Sequence, residues 1–396
     1  MIEVTTALEI VLSHTSPLPT EKLLLRFACG RVLAESVASD IDSPPYTKSV
    51  MDGYAVRSAD CAEPVSLTVI EEVAAGRVPT KVVGPGQATR IMTGAPIPQG
   101  ADAVVPHEET ELAGDTVRVR CVVKTGEFIL MRGREMRAGE IVVPAGTALT
   151  SQVIGLLASV GRDFALVCKA PHITILATGD ELVEAHESVG PGQIRNSNGP
   201  MLRAQAESCS AVSEYLLGIA RDNHASLTER ISEGLESSHV LILAGGVSAG
   251  KFDLVPEVLA SLGVTAHFHK VRLKPGKPML FGTRGSQLVF GLPGNPVSSF
   301  VGFELFIRPA LRKMMGYATP GPTFVPVPLA AEFATKNDRP TYVPAQIEKT
   351  DALRVRARTS FGSADLRGLL GADALVSVPP GAVEYAAGDV VPTLML

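Results

Sequence analysis

Three short segments of this chain set glycines beside acids or hydroxyls in a spacing suited to phosphate chemistry. They are Thr178-Gly179-Asp180-Glu181, Gly245-Gly246-Val247-Ser248-Ala249-Gly250-Lys251-Phe252-Asp253 and Pro293-Gly294-Asn295-Pro296. Each follows a short apolar run, at 173–177, 240–244 and 288–292, that reads as a buried strand. The second segment is Gly-rich and leads into a helix pattern. Its backbone N–H groups and the helix N-terminus are suited to phosphate or another oxyanion. The first and second segments also bring Glu181 and Asp253 to the same rim. Carboxylates beside phosphate-binding amides point to Mg²⁺, which takes one or two carboxylates and completes its shell with substrate phosphates and water. Taken singly, these glycines serve turns and these acids cap helices equally well. Three such loops on one sheet edge favour a binding site.

A cationic stretch lies between the second and third segments. Residues 267–284 hold Lys270, Arg272, Lys274, Lys277 and Arg284 and no acid. Lys274-Pro275-Gly276-Lys277 sets two ammonium groups on a tight turn, which suits a small dianion. From charge alone, a solvated hairpin is the plainer reading. His267 and His269 share one strand face, but no third ligand accompanies them, so a surface pair is the plainer reading there too. Two further segments are odd for linkers: Lys48-Ser49-Val50-Met51-Asp52-Gly53-Tyr54-Ala55-Val56, and Arg90-Ile91-Met92-Thr93-Gly94-Ala95-Pro96 with its hydroxyl. No Gly-x-Ser-x-Gly elbow, GxGxxG or GxxxxGK[ST] occurs, which disfavours α/β-hydrolase chemistry, nicotinamide cofactors and P-loop hydrolysis.

The elements that must position these residues follow from periodicity. Residues 168–316 alternate strand and helix: strands at 173–177, 211–217, 240–244 and 288–292, and helices after Asn198, at 225–236 and at 254–262. Such alternation predicts a mostly parallel sheet covered by helices on both faces, a three-layer α/β domain. A last helix has Asn295 as N-cap, Pro296 at its first position, Arg308, Arg312 and Lys313 near its end and Gly316 as stop, with a kink expected at Pro309. Residues 1–43 read as two helices, one opened by a Thr6-x-x-Glu9 capping box and one over 23–34. Residues 44–136 read as a β-rich module, with strands at 65–73, 101–105 and 116–123. Residues 137–167 return to turns and a helix at 151–160, so the β module reads as an insertion in a discontinuous helical domain. Residues 317–396 read as a small C-terminal β domain.

Composition bounds the class. The chain has 396 residues, 45% hydrophobic and 19% charged, ample for several packed cores. Gly 37, Pro 29, aromatics at 5% and no Trp fit short strands and tight turns. Lys and Arg number 36 against 41 Asp and Glu, a net charge of −5, which argues against a dedicated nucleic-acid binder. No run of 18 or more apolar residues occurs, so no membrane span is expected. Residues 1–16 lack the basic flank and apolar core of a signal peptide. The 5 cysteines are scattered without CxxC, as expected of reduced thiols in a cytoplasmic protein.

In order, these segments resemble the molybdopterin molybdotransferase family, to which gephyrin-type domains also belong. The resemblance rests on Ser49-Val50-Met51-Asp52-Gly53-Tyr54-Ala55, Ile91-Met92-Thr93-Gly94-Ala95, Thr178-Gly179-Asp180-Glu181-Leu182, Gly245-Gly246-Val247-Ser248, Lys274-Pro275-Gly276-Lys277-Pro278 and Leu292-Pro293-Gly294-Asn295-Pro296-Val297-Ser298. Each motif is modest alone; the ordered set, spanning nearly the whole chain, is specific.

The resemblance implies a homodimer with four parts per subunit: a discontinuous helical domain (1–43 and 137–167), an inserted β-rich module (44–136), an α/β molybdopterin-binding domain (168–316) and a C-terminal β-barrel (317–396). It implies insertion of molybdate into adenylylated molybdopterin with release of AMP, the last step of molybdenum-cofactor synthesis, aided by Mg²⁺. Asp52, Thr93, Glu181, Asp222 and Asp253 match catalytic or acidic cleft positions, with Glu181 and Asp253 as candidate Mg²⁺ ligands. Gly245, Gly246, Ser248, Lys274, Lys277, Pro293, Gly294, Asn295, Pro296 and Ser363 match substrate-binding positions; the lysines face the oxyanion and the Pro293–Pro296 loop faces the pterin. The implied protein partners are the molybdopterin adenylyltransferase and downstream cofactor-handling proteins.

Three positions depart from the family pattern. Arg134-Glu135-Met136 stands where Glu-Asp-Ile is usual, Pro344 where an anion-site Arg is usual, and Arg367-Gly368 where a Ser-Ser pair is usual. Arg339, Arg354, Arg356 and Arg358 are the arginines near enough in sequence to stand in for the one lost at Pro344. Two other readings stand beside it: a molybdopterin adenylyltransferase, which has a related α/β domain and against which the β module and C-terminal domain argue, and a non-catalytic dimeric scaffold of the same fold, against which the retained acids and both lysines argue.

Overall fold

The computed structural model describes residues 1–209, 213–247, 254–349, 352–358 and 362–396, with the backbone alone at 213–215. The chain divides into two compact units. One comprises Met1–Glu35, Ala145–Ile154 and Phe164–Leu396; the other comprises Ser36–Pro144 and Gly155–Asp163.

The first unit is built on a six-stranded sheet. Its order is Ser213–Ala220, His172–Thr178, Val240–Ala244, Gln287–Leu292, Pro278–Arg284, Thr265–Lys270. The strands from Ser213–Ala220 to Gln287–Leu292 are parallel, and the remaining two join antiparallel. Val240–Ala244 shows why its sequence is uniformly apolar. Val240, Ile242 and Ala244 share a core with Leu202 and Ala206 of the helix Asn198–Glu207, while Leu241 and Leu243 share another with Leu227 and Ile231 of the helix His224–Ser237. Side chains alternate along a strand, so a sheet covered on both faces needs apolar residues at every position.

After His172–Thr178 the chain moves to one neighbour, Ser213–Ala220, and then crosses to the other, Val240–Ala244. Two loops therefore part at the carboxyl ends of adjacent strands and leave a crevice, the usual ligand position in such sheets. The third loop leads into the helix Pro296–Gly302, with Asn295 at the N-cap position but making no side-chain cap bond. The expected kink at Pro309 is met differently. A π-helical turn, Phe303–Ile307, precedes the helix Arg308–Met314. The wider turn accommodates a proline that has no N–H to give.

The N-terminal expectation needs correction. The helix is Val4–Ser13, with Glu3 as N-cap and no side-chain cap bond, so Thr6 and Glu9 lie inside it and form no capping box. No helix covers 23–34. The strand Thr20–Leu24 pairs antiparallel with Phe164–Cys168, and a 3₁₀ turn, Leu25–Phe27, follows. That pairing joins segments far apart in sequence, which overrides a local apolar run. Ala7 and Val11 of the first helix are buried in the same core as Ile173 and Phe281.

Toward the C-terminus, a five-stranded sheet runs Phe324–Pro328, Val390–Met395, Ala374–Val378, Thr341–Lys349, Leu353–Ala357, with every pairing antiparallel. A separate pair joins Phe333–Asn337 to Gly381–Tyr385.

The second unit is a β structure. Its six-stranded sheet runs Ala103–Pro106, Gly53–Val56, Gln87–Ile91, Val65–Val73, Thr116–Val119, Thr110–Ala113, over a core that includes Tyr54, Val56, Leu67, Val105 and Val117. Among the described residues no helix is long and apolar enough to cross a membrane.

Candidate functional site

The crevice opens into a cleft of about 710 Å³ within the first unit. Thr178, Gly179 and Glu181 stand on one side and Gly245, Gly246 and Val247 on the other; Pro293, Gly294 and Asn295 close a third edge. The glycines are needed where strand ends meet. Gly245 has φ +107, and a Cβ there would strike the carbonyl oxygen of Thr178. Its N–H donates to Leu292 O at 3.0 Å, tying the second loop to the third. Asn198 Nδ2 donates to Gly294 O at 2.7 Å and steadies the third loop from the helix behind it.

Arg221 holds the first loop in shape. Its Nη1 donates to the carbonyl oxygens of Gly179, Asp180 and Leu182 at 3.4, 3.2 and 2.9 Å. Sequence reasoning missed this arginine. Its signal is only its place directly after a strand end and before Asp222.

Glu181 and Asp222 both line the cleft. Burial, then the Asp180 carboxylate and, more weakly, Glu181, push the Asp222 carboxyl above its usual range. The Asp222 N–H donates to Asp180 Oδ1 at 3.1 Å, which keeps the two acids close. Like charges gathered at a cleft wall favour a cation between them. Among the described residues no group of three His, Cys, Asp or Glu converges as a complete metal cage. An incomplete carboxylate set is what Mg²⁺ uses when substrate phosphates finish its shell, so these residues fit that ion. Asp253 and Ser248 lie outside the described residues.

Another part of the lining is cationic and rich in donors. Lys274, Pro275, Gly276 and Lys277 all line it, so this loop is a cleft wall and not a freely solvated hairpin. Lys274 Nζ donates to Asn337 Oδ1 at 2.9 Å. Asn337 is 5% exposed, and its Nδ2 has no partner. Ser363 Oγ accepts from Asn295 Nδ2 at 2.8 Å, and Ser363 O accepts from Val297 N at 3.0 Å. Asn295 is thus engaged with the C-terminal region instead of capping its helix. Pro296 is absent from the lining and only begins the helix. Arg339, Pro344 and Arg358, all singled out by the departure from the family pattern, are lining residues in the C-terminal sheet region; Asn337 lines the cleft too, and no local motif announces it.

Asp52 and Thr93 belong to the second unit. Asp52 Oδ1 accepts from Thr93 N at 2.6 Å and Thr93 Oγ1 at 2.8 Å. The Thr93 N–H first, then its hydroxyl, hold the exposed Asp52 carboxyl below the ordinary range, and His107 adds to this. Asp52 and His107 border a hollow of about 310 Å³ with Tyr54, Arg90 and Met92. In the same unit Glu135 accepts from Ser43 Oγ at 2.7 Å. Elsewhere, Arg367 N donates to Asp365 Oδ1 at 3.1 Å in a 3₁₀ turn. His267 Nε2 lies 2.9 Å from Thr283 Oγ1 and its ring lies 3.9 Å from that of His14. Cys29, Cys61, Cys121, Cys168 and Cys209 are free thiols.

Three family profiles match the chain in order. They are the MoeA N-terminal region (domain I and II) over residues 2–161, a probable molybdopterin binding domain over 174–313 and the MoeA C-terminal region (domain IV) over 326–396. A molybdopterin molybdenumtransferase of a Nostoc species is 37% identical over 95% of this chain and 89% of its own length. This chain belongs to the MoeA family. A second relative of that name, from Staphylococcus aureus, is 32% identical over 100% of this chain and 95% of its own. The crystal structure of a MoeA protein of molybdopterin biosynthesis from Pyrococcus horikoshii OT3 superposes with a TM-score of 0.86 at 30% identity, covering 100% of both chains. The MoeA fold is a multidomain mixture of α/β and β parts, and this chain shares it along its whole length.

Proposed function

We propose that the protein is a transferase that inserts molybdate into adenylylated molybdopterin and releases AMP, the last step of molybdenum-cofactor synthesis. One observation carries this reading: a single cleft is lined both by strand-end glycines and carboxylates and by a lysine loop and a serine. Phosphoanhydride and oxyanion chemistry needs both sets at once.

Gly245, Gly246, Pro293, Gly294 and Asn295 let the substrate approach the backbone closely at the strand ends. Lys274, Lys277 and Ser363 donate to the molybdate oxygens. Asp222, whose carboxyl holds its proton more tightly than usual, takes a proton from the water that attacks the anhydride phosphorus. The anhydride P–O bond then breaks and AMP departs. Glu181 and Asp253 are the residues that would hold Mg²⁺. Bound there, it would supply neutralisation of charge on the two phosphates. Asp52 and Thr93 serve as a second acidic and hydroxyl pair. The reading includes a cytoplasmic homodimer, with the domain division 1–43 and 137–167, 44–136, 168–316 and 317–396.

The test is AMP release from adenylylated molybdopterin by the purified dimer, with Mg²⁺, with and without molybdate. Molybdate-dependent release with concurrent cofactor formation is the expected result. A folded protein that releases no AMP under either condition overturns the transferase reading. Analytical ultracentrifugation checks the dimer separately.

A further inference from the structure

We propose that Arg358 supplies the guanidinium of the cleft's oxyanion site, reaching the face that Pro344 leaves without a donor; the assignment rests on the molybdate reading above. The strands Thr341–Lys349 and Leu353–Ala357 are antiparallel, with Ala345 opposite Ala357. One step further along, Pro344 faces Arg358, and Arg358 N donates to Pro344 O at 2.9 Å. Residues directly opposite share one face of the sheet, with Cβ atoms about 4.5–5.5 Å apart. A long side chain at 358 therefore serves the space that a side chain at 344 would otherwise fill. Pro344 itself offers a ring, no charge and no N–H to return to the ladder.

Two donors of this lining lack acceptors. Arg358 lines the cleft, and its Nε is buried with no partner. Its Nη1 donates to the neutral Gln346 Oε1 at 3.1 Å. Asn337 Nδ2, on the same cleft, is also buried and unpartnered. Buried donors left unmet are costly, so two of them on residues that line one cleft point to a ligand that brings acceptors. A tetrahedral oxyanion does so, and a guanidinium fork suits it. Two of the other three candidate arginines have carboxylate partners. Arg339 Nε donates to Asp338 Oδ1 at 3.1 Å, and Arg356 uses both Nε and Nη2 on Glu348. Arg354 is not among the lining residues.

The experiment is equilibrium dialysis of radiolabelled molybdate against the purified full chain, beside the affinity for adenylylated molybdopterin. The variants are Arg358→Ala, Arg358→Lys and the double variant Arg358→Ala with Pro344→Arg. Loss of one charge-assisted donor pair weakens an anion about 10- to 100-fold. Arg358→Ala is expected to weaken molybdate binding by that factor and leave the organic substrate's affinity within about twofold. Arg358→Lys should fall between, and Pro344→Arg in the alanine background should regain most of the loss. Molybdate binding by Arg358→Ala as tight as wild type overturns the assignment, as does a double variant no better than Arg358→Ala. A wild-type protein that binds no molybdate at millimolar concentration also overturns it. A wild-type protein that binds molybdate and loses it on Arg358→Ala, yet releases no AMP, supports the assignment and removes the transferase reading alone.

Discussion

Lys274 Nζ donates to Asn337 Oδ1 at 2.9 Å, so a side chain from the C-terminal region aims a cation carried by the α/β sheet's edge loop. The backbone reinforces the join. Lys274 N donates to Pro340 O at 2.9 Å and Tyr342 N donates to Lys274 O at 2.8 Å. The lysine is thereby held at the cleft wall before any anion arrives, and preorganised donors act without reorganisation cost.

Replacing Lys274→Met should lower molybdate-dependent AMP release about 10- to 100-fold, the worth of one charge-assisted donor. Asn337→Ala leaves the charge but removes the aiming bond. Its expected effect is a raised molybdate KM with a smaller change in kcat. Steady-state kinetics on both variants check this; equal effects on kcat would contradict an aiming role for Asn337.

Asp222 should make the fold less stable as pH rises. Its folded carboxyl has a raised pKa, from burial first and then Asp180. The native state therefore holds this proton over a range where the unfolded chain has released it. Its stabilising contribution is fully present below the ordinary value of 3.8 and is lost as pH rises through the raised value. Asp222→Asn should accordingly raise Tm relative to wild type at pH 7 and little at pH 4. Differential scanning fluorimetry across that range measures it. The same variant should abolish the acidic limb of the AMP-release profile that Asp222 contributes as a base.

Asp52 behaves in the opposite sense. Its carboxyl lies below the usual range through the Thr93 N–H and hydroxyl, so the stabilisation is present above the ordinary 3.8 and is lost as pH falls through the lowered value. Thr93→Val removes one of the two donors. Carboxyl NMR titration should then show Asp52 moving up toward its ordinary value without reaching it, because the backbone donor at 2.6 Å persists. An unchanged titration would show that the hydroxyl bond does not form in solution.

Gly246→Ala should destabilise the crevice. Gly246 has φ +62, and a Cβ would lie 2.7 Å from both Thr178 Oγ1 and Val255 Cγ2. Left-handed strain and overpacking together cost about 2–4 kcal/mol. Urea denaturation with an unchanged m-value and a lower midpoint is the expected signature.

Much of the α/β part is legible from local pattern. The apolar run 240–244 is the strand Val240–Ala244, and the run 173–177 lies within His172–Thr178. Doubly covered parallel strands are apolar at every position, and their ends are marked by glycine, so length and punctuation suffice. The N-terminal segment shows the limit. The run at 23–34 looks helical by composition, yet Thr20–Leu24 finds a strand partner in Phe164–Cys168, which no local window contains. The lysine loop was ambiguous for a related reason. Charge alone does not distinguish a solvated turn from a cleft wall; that depends on what stands opposite.

The sequence by itself determined the parallel sheet, the three loops at its strand ends and, through ordered motifs, the resemblance to one family. These depend on periodicity and on residues adjacent in the chain. Only the tertiary structure decided which donors meet across the cleft. Asn337 comes to Lys274 from 63 residues away, Ser363 to Asn295 from 68, and Arg358 to Pro344 through a strand ladder. Such meetings are fixed by strand register and sheet order, which set distances in space that no spacing along the chain encodes.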